Sequence, residues 1–481
     1  MMSIQSVEDF ACGTWMNRSV VARAVDTELT TDTGLLLFGQ FDDKLGWTSQ
    51  FASLISDART DPDHSVLSIV RQRVFGILAG YEDQNDHDTL RSDPVFKLLA
   101  KRMPDDNDLA SQPTISRLEN SVKPADLLQM EEWFLSKFIA SLGDDLEVVT
   151  LDIDTYADAA HGEQQLTFWH DYYKQNQYQV RLITCAENDM VVLPVLLFGS
   201  ASVKLGAADD LKRVIEAIRA RHPNALIRFR ADSGFGGQDV YCTLESFDRV
   251  EYTIGMKINK KTKKLSEQLL NAAIAAQAQS GEDELRYMSV GNYTSKYWKK
   301  IERSLVIKCE VTAHSSSRRI LLSNRPEVET EPELVYRDYA ERGESENRNK
   351  ELKCGDRLSD HRYMANLFRL MMHCVAHNLL ITLRHEVAIP APETQTAPPP
   401  KAENSSFKET KADRKVHNDR RKRDPLGEGH PCTWRTHVIK VAGRIIVTAR
   451  RVVLELSASW PHLEYFRQVV AAIERYQPRL S

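Results

Sequence analysis

Three carboxylates and three donor side chains frame the chemistry open to this chain. Asp154 closes the apolar run Leu146 to Asp154, and Asp232 follows a second apolar run, Leu226 to Arg230, in the segment Arg230-Ala-Asp232-Ser-Gly-Phe-Gly-Gly237. Glu346 lies in the polar stretch Tyr339 to Lys353. Carboxylates that converge from separate elements suit hard divalent cations such as Mg²⁺. Two such ions, about 3.5 to 4 Å apart, clamp the attacking and leaving oxygens of an in-line phosphoryl displacement. Read as one helix, 339–353 puts Tyr339, Arg342, Glu346 and Lys353 on one narrow face. Arg342 and Lys353 are donors without acceptor capacity, which suits phosphate. Alone, that stretch is a solvated helix with incidental charge pairs, and an aspartate at a strand end is a cap or turn former. The functional reading rests on all three carboxylates arriving in topological order.

The elements that must position them follow from periodicity. Residues 1–143 read as mostly helical, with amphipathic segments at Val66 to Gly80 and Leu127 to Leu142. From 146 onward the pattern turns to strands, at Leu146 to Asp154, Tyr178 to Cys185 and Met190 to Phe198, then a helix from Asp209 to Arg221, then strands at Leu226 to Arg230 and Tyr252 to Ile258. That order is the order of a ribonuclease-H-like α/β core with a mixed five-stranded sheet, in which the first and fourth strands are neighbours. Asp152 and Asp154 share a strand face, so both are candidates for the first carboxylate. His361 to Glu386 reads as an amphipathic helix that buttresses the Glu346 segment. His373 and His377 on it have ligand spacing but no third ligand nearby, which favours a structural role. The cluster Glu82, Asp83, Asp86 and Asp88 is flanked by Gly80, Asn85 and Pro94 and reads as a surface turn.

With 481 residues and 42% hydrophobic content the chain can bury more than one core, and about three domains are expected. The seven cysteines show no metal-site spacing and read as reduced thiols. No signal pattern opens the chain and no apolar run is long enough to span a bilayer, so a cytoplasmic protein without a membrane partner is expected. Net charge is −5, yet residues 401–451 hold 14 Lys and Arg against 6 Asp and Glu. Local patches rather than the total set a phosphate footprint. The Pro-rich segment Pro390 to Pro400 and the basic run Lys408 to Arg423 read as a linker spanning 388–425, with a small α+β region at 426–481 after it. Ser111 to Asn120 offers a Pro, hydroxyls and Arg117, as the second helix of a helix-turn-helix offers a DNA groove.

Tyr339, Arg342, Glu346 and Lys353 match, position for position, the Tyr-x2-Arg-x3-Glu-x6-Lys signature of a superfamily of bacterial insertion-sequence transposases. With Leu151-Asp-Ile-Asp154, His161-Gly162, Arg230-Ala-Asp232-Ser-Gly-Phe and Gly80-Tyr-Glu-Asp83, residues 30 to 386 resemble the DDE transposases of the insertion-sequence thirteen-eighty group. The resemblance implies a cut-and-paste recombinase with the catalytic and metal-binding triad Asp154, Asp232 and Glu346. It favours Asp154 over Asp152, because the family's aspartate precedes a hydroxyl residue and Thr155 fits. It implies two Mg²⁺ ions, with Mn²⁺ able to substitute, and a homodimer working on double-stranded DNA ends and target DNA. It assigns end-phosphate binding to Tyr339, Arg342 and Lys353. A mostly β insertion is implied between Asp232 and Glu346, at 261–330, where Leu305 to Thr312 and Arg319 to Leu322 read as strands; 144–260 and 331–387 are then the two parts of the core. Some relatives stack a tryptophan on a flipped base in a DNA-hairpin step, and Trp298 is the candidate for that role here, although a lone tryptophan is more often a packing residue; Gly343 stands where some relatives carry an aromatic. The rival expectation is a DNA-binding regulator that kept the fold and lost catalysis.

Overall fold

The computed structural model describes residues 9–25, 27–298, 301–353, 357–389 and 419–478; of 344–348 and of Tyr297 it describes the backbone alone. The Pro-rich segment and the basic run as far as residue 418 lie outside the described residues, as do Lys299, Lys300 and Cys354.

The chain opens with a hairpin, β1 (Asp9–Trp15) and β2 (Arg18–Arg23), whose turn residues Met16 and Asn17 both have positive φ, 48° and 61°. Such a mirror-image turn matches the twist of its strands. Met-Asn is a weaker turn signal than Asn-Gly, so this hairpin stands outside the mostly helical pattern read for residues 1–143. After the short strand β3 (Leu29–Thr30), helices run from Leu35 to Ser141. Helix Val66–Ala79 is typical: the Ser65 side chain caps its first turn, and Gly80 ends it at φ 87°. Nearly all of it is buried, including Arg73, whose guanidinium meets Glu119 at 3.0 Å. Glu119 in turn accepts from Arg369 on the long helix Tyr363–Val387 at 2.5 Å. One apolar core joins Phe75 and Phe134 of the N-terminal helices to Phe368 and Leu379 of the long helix and to Trp434, Val469 and Ile473 near the end of the chain.

A large mixed sheet forms the centre. Its strands are β4 (Val148–Ala159), β5 (Phe168–His170), β6 (Gln175–Cys185), β7 (Val191–Leu197), β8 (Leu226–Ala231), β9 (Val250–Met256), β10 (Glu284–Tyr293), β11 (Arg303–Val311) and β12 (Ser316–Ser323). They lie in the order β10-β11-β12-β9-β8-β4-β6-β5, with β7 sharing the outer edge of β6 with β5. The first and fourth strands of the expected core, β4 and β8, are parallel neighbours in register from Val148↔Leu226 to Ile153↔Ala231. Among the described residues the five expected strands, β4, β6, β7, β8 and β9, belong to a sheet of nine. Three of the extra strands, β10 to β12, come from the segment expected as an insertion, which also holds the helix Glu267–Ser280 and carries the central sheet onward through β12 against β9. Leu151 and Ile153 on one face of β4 join Ile215 of the helix Ala207–Arg221 in an apolar core. By alternation the opposite face presents Asp152, Asp154, Tyr156 and Asp158.

The last described segment adds β13 (Gly443–Val447), β14 (Val452–Leu456) and the helix Leu463–Arg475. β13 pairs with β14 and also with β3, so the two ends of the described chain meet in one small sheet. Gly34 sits at this junction, where an added Cβ would lie 1.9 Å from the Val438 carbonyl oxygen. A backbone oxygen cannot rotate away, so Gly34→Ala is expected to destabilise the fold by at least the ~3 kcal/mol of a severe overpacking. A thermal melt reads this as a fall in Tm; an unchanged Tm would show that the junction is looser than described.

Candidate active site

The site begins where β4 and β8 part. Their pairing stops at Ile153↔Ala231, after which the chain leaves β8 into the short turn helix Ser233–Phe235. β4 does not stop there. It continues against β6 as far as Ala159↔Gln177, which corrects the expectation that Asp154 ends its strand. Asp154 and Asp232 are therefore the first residues beyond the last shared register step, side by side where β8 ends and β4 runs on. Clefts at that end of an α/β sheet are where ligands bind. The Asp232 carboxylate accepts the Gly234 N–H at 2.8 Å and so caps its own turn. A Cβ at Gly234 would lie 2.9 Å from Val203 and 3.0 Å from Asp232 Oδ1, which explains glycine there.

Two residues before Asp154 and Asp232, Asp152 and Arg230 are both buried and face each other. The guanidinium donates from Nε to Oδ1 at 2.7 Å and from Nη2 to Oδ2 at 3.0 Å. Both Asp152 oxygens thus already hold a cation. The Asp154 carboxylate is partly exposed and accepts the Thr155 N–H at 2.8 Å and Arg342 Nη1 at 3.2 Å.

The signature stretch is not one helix. It is divided into Pro332–Ala340 and Gly343–Lys353, with Glu341 and Arg342 forming the turn between them. The expected single face through 339, 342, 346 and 353 is corrected accordingly. In an unbroken helix the Arg342 N–H would bond to the Asp338 carbonyl; here it bonds to the Tyr339 carbonyl at 3.0 Å. The released Asp338 carbonyl accepts from Arg230 Nη1 at 2.7 Å. Gly343, a poor helix former, sits at the restart.

The break nevertheless brings the signature onto the β4 face. Arg342 meets Asp154 and stands 5.7 Å from the centre of the Tyr339 ring. The Tyr339 hydroxyl lies 3.1 Å from where a Cβ of Gly255 would be, in β9 one step beyond Ile254↔Ala231, so that glycine leaves space for it beside Asp232. Burial raises the Tyr339 phenol above its ordinary pKa; Arg342 opposes the rise and Asp232 adds to it. Tyr339 therefore remains a neutral donor. Helix Gly343–Lys353 is fixed from its other side by buried Leu352 and by Glu351, whose carboxylate pairs with His430 and lies 3.9 Å from Arg384. Position 346 shares a helical face with buried Asn349 and with Lys353; the Glu346 side chain lies outside the described residues.

Other expected site residues lie elsewhere. Trp298 is buried, with Tyr241 and Tyr293 edge-on at 5.7 and 5.9 Å and Arg303 over its ring at 5.1 Å. That is a packing environment, and the structure does not bring it to the carboxylates. Arg117 is exposed on the helix Gln112–Glu119, whose inner face buries Ile115, Leu118 and Glu119. His373 and His377 are buried, and burial pushes His377 down to about 4, so it is neutral. Among the described residues no three His, Cys, Asp or Glu side chains form a metal cluster. Asp154 and Asp232 are the described carboxylates of the expected triad, and as hard oxygen donors they fit Mg²⁺ or Mn²⁺. Sequence reasoning missed Arg230, whose partner faces it only across the sheet, and Asp158, which sits in an alternation already explained by its neighbours.

Residues 13–399 match the family described as Transposase DDE domain group 1. The chain belongs to the DDE transposase family. Among solved structures, it is similar to a piggyBac transposase synaptic complex with hairpin DNA, at 12% identity, 82% of each chain and TM-score 0.42. It is also similar to the Drosophila P element transposase strand transfer complex, at 11% identity, 82% of this chain, 80% of that chain and TM-score 0.22. No curated protein matches the sequence. At these values the family assignment of the transposase rests on the sequence match. No helix among the described residues is long and apolar enough to cross a membrane.

Asp158 of the transposase is buried on the same β4 face, and its Oδ2 has no hydrogen-bond partner among the described residues. Burial pushes its carboxyl from 3.8 up to about 7, and Lys353 restrains the rise. The folded chain therefore keeps a proton that the unfolded chain releases above about pH 4. This contribution to stability is full below that value and is lost as pH rises through about 7. Asp158→Asn is expected to flatten that part of the profile. Urea midpoints of both chains from pH 4 to 8 check it, and parallel curves would place Asp158 in water.

Proposed function

We propose that this DDE transposase is a cut-and-paste recombinase of a bacterial insertion sequence, of the thirteen-eighty group, acting on double-stranded DNA. The observation that carries the reading is the parallel register that leaves Asp154 and Asp232 adjacent beyond the last β4–β8 pair, with Arg342 on Asp154. In this reading the core is ribonuclease-H-like, and Asp154, Asp232 and Glu346 form the catalytic triad and hold two Mg²⁺ ions, with Mn²⁺ able to replace them. Asp152 is left out because Arg230 occupies both its oxygens. When bound, the ions supply Lewis-acid activation and charge neutralisation at the phosphodiester.

The chain's own residues supply position and charge. Arg342, on the turn between the two helices, is a permanently charged donor that would hold a phosphate oxygen beside Asp154. Tyr339, held neutral, donates a hydroxyl beside Asp232, and Lys353 adds a second cation along the same strand face. They orient the element-end phosphate for in-line attack by water, which frees a 3′-hydroxyl, and later for attack of that hydroxyl on target DNA. Arg117, exposed on its helix, is a candidate contact to the terminal repeat. A homodimer would bring two ends together.

Glu346→Gln is expected to retain binding of an element-end duplex and to abolish its cleavage; cutting at the natural rate would remove Glu346 from the site. Neutralising Arg342 or Lys353 is expected to reduce the slope of log K against log salt by about 1 each. Unchanged slopes in a binding titration would mean that neither touches phosphate.

A further inference from the structure

The β5–β6 hairpin carries a cluster of aromatic side chains that neither the core nor the carboxylate site uses. Phe168, Trp169, Tyr172 and Tyr173 are 44%, 53%, 82% and 48% exposed within a six-residue span. The rings are held in place rather than collapsed. Trp169 Nε1 donates to Asp171 Oδ1 at 3.1 Å, Tyr172 meets Tyr173 edge-on at 5.0 Å, and His170 lies 5.1 Å from Tyr173.

The hairpin stands at the site's end of the sheet. Phe168 pairs with Gln177, whose other neighbour is Ala159, the last residue of the strand that carries Asp154. Its base is tied to the segment after the Glu346 helix. The Gln164 side chain donates to the Leu358 and Asp360 carbonyls at 2.7 Å each, and the Gln165 N–H donates to the His361 carbonyl at 2.8 Å. Five residues along β4 and two strands across put the cluster about 20 Å from Asp154. At about 3.4 Å per nucleotide along a strand, that is roughly six nucleotides.

We infer that this cluster is a stacking platform for unpaired bases of the DNA flanking the reacting phosphate; the inference rests on the transposase reading above. Fixed, solvent-facing indole and phenol rings bind nucleobases through their faces irrespective of sequence. Strand addition by a second copy of the chain is disfavoured, because β5 offers only three residues of edge.

The test uses the full chain and two fluorescein-labelled mixed-sequence duplexes, one fully paired and one interrupted by six unpaired thymines. The natural chain is expected to prefer the interrupted duplex in a polarisation titration. Trp169→Ala and Tyr172→Ala should each weaken binding to it by about tenfold and leave the paired duplex within twofold, while Trp169→Phe keeps most of the preference. Because these side chains are exposed, an unchanged melting profile shows that the variants fold. A preference that survives both alanine variants overturns the inference, as does loss of it in Trp169→Phe, or a change of oligomeric state on gel filtration in place of a binding change. Equal binding of both duplexes by the natural chain removes the platform alone, whereas binding of neither removes the proposed recombinase activity with it.

Discussion

The buried pair of Arg230 and Asp152 is the contact on which the site's geometry depends. Two charges removed from water are costly unless their hydrogen bonds are met, and losing one partner of such a pair costs about 3 to 5 kcal/mol. Here the bidentate geometry satisfies both carboxylate oxygens, and the remaining guanidinium nitrogen takes the Asp338 carbonyl. A single side chain therefore locks β8 to β4 and ends the helix that carries Tyr339. Both consequences meet two residues further along the strands, where Asp154 and Asp232 emerge. The same pair consumes the acidic group that would otherwise compete as a metal ligand.

Arg342 reaches β4 because the signature's helix is broken. A continuous helix would have carried Arg342 onward along its own axis, whereas the turn at Glu341 and Arg342 lets the guanidinium reach β4 and lets the next helix restart at Gly343. That second helix has almost no apolar surface of its own, so its placement relies on Leu352 and on Glu351. The partner of Glu351, His430, follows the linker in sequence and accepts from Arg421 at 2.7 Å. Since arginine can only donate, His430 is held as the tautomer with its proton on Nδ1, facing Glu351. The region after the linker thus helps to seat the helix of Glu346.

Much of this was legible in the sequence, for reasons that differ by residue. The β4, β6, β7, β8 and β9 strands stood out as apolar runs between turn signals, and the helices Ala207–Arg221 and Tyr363–Val387 by their period. The motif residues Asp154, Asp232, Tyr339, Arg342 and Lys353 were visible by type and spacing. The structure supplied what spacing cannot encode. Whether Asp152 is a ligand or an ion-pair partner depends on Arg230, 78 residues away in sequence. The helix break depends on a carbonyl captured from another strand, and the extent of β4 on its pairing with β6. What surrounds Trp298 is likewise hidden from spacing, since a lone tryptophan carries no sign of its neighbours.

The central claim is that β4 and β8 deliver two carboxylates to one phosphodiester. It is tested most directly by incubating a labelled element-end duplex with Mg²⁺ and the natural chain, Asp154→Asn or Asp232→Asn. Metal-dependent cutting is expected of the natural chain, and duplex binding without cutting of either variant. Undiminished cutting by either variant, or binding without cutting by all three chains, would contradict it.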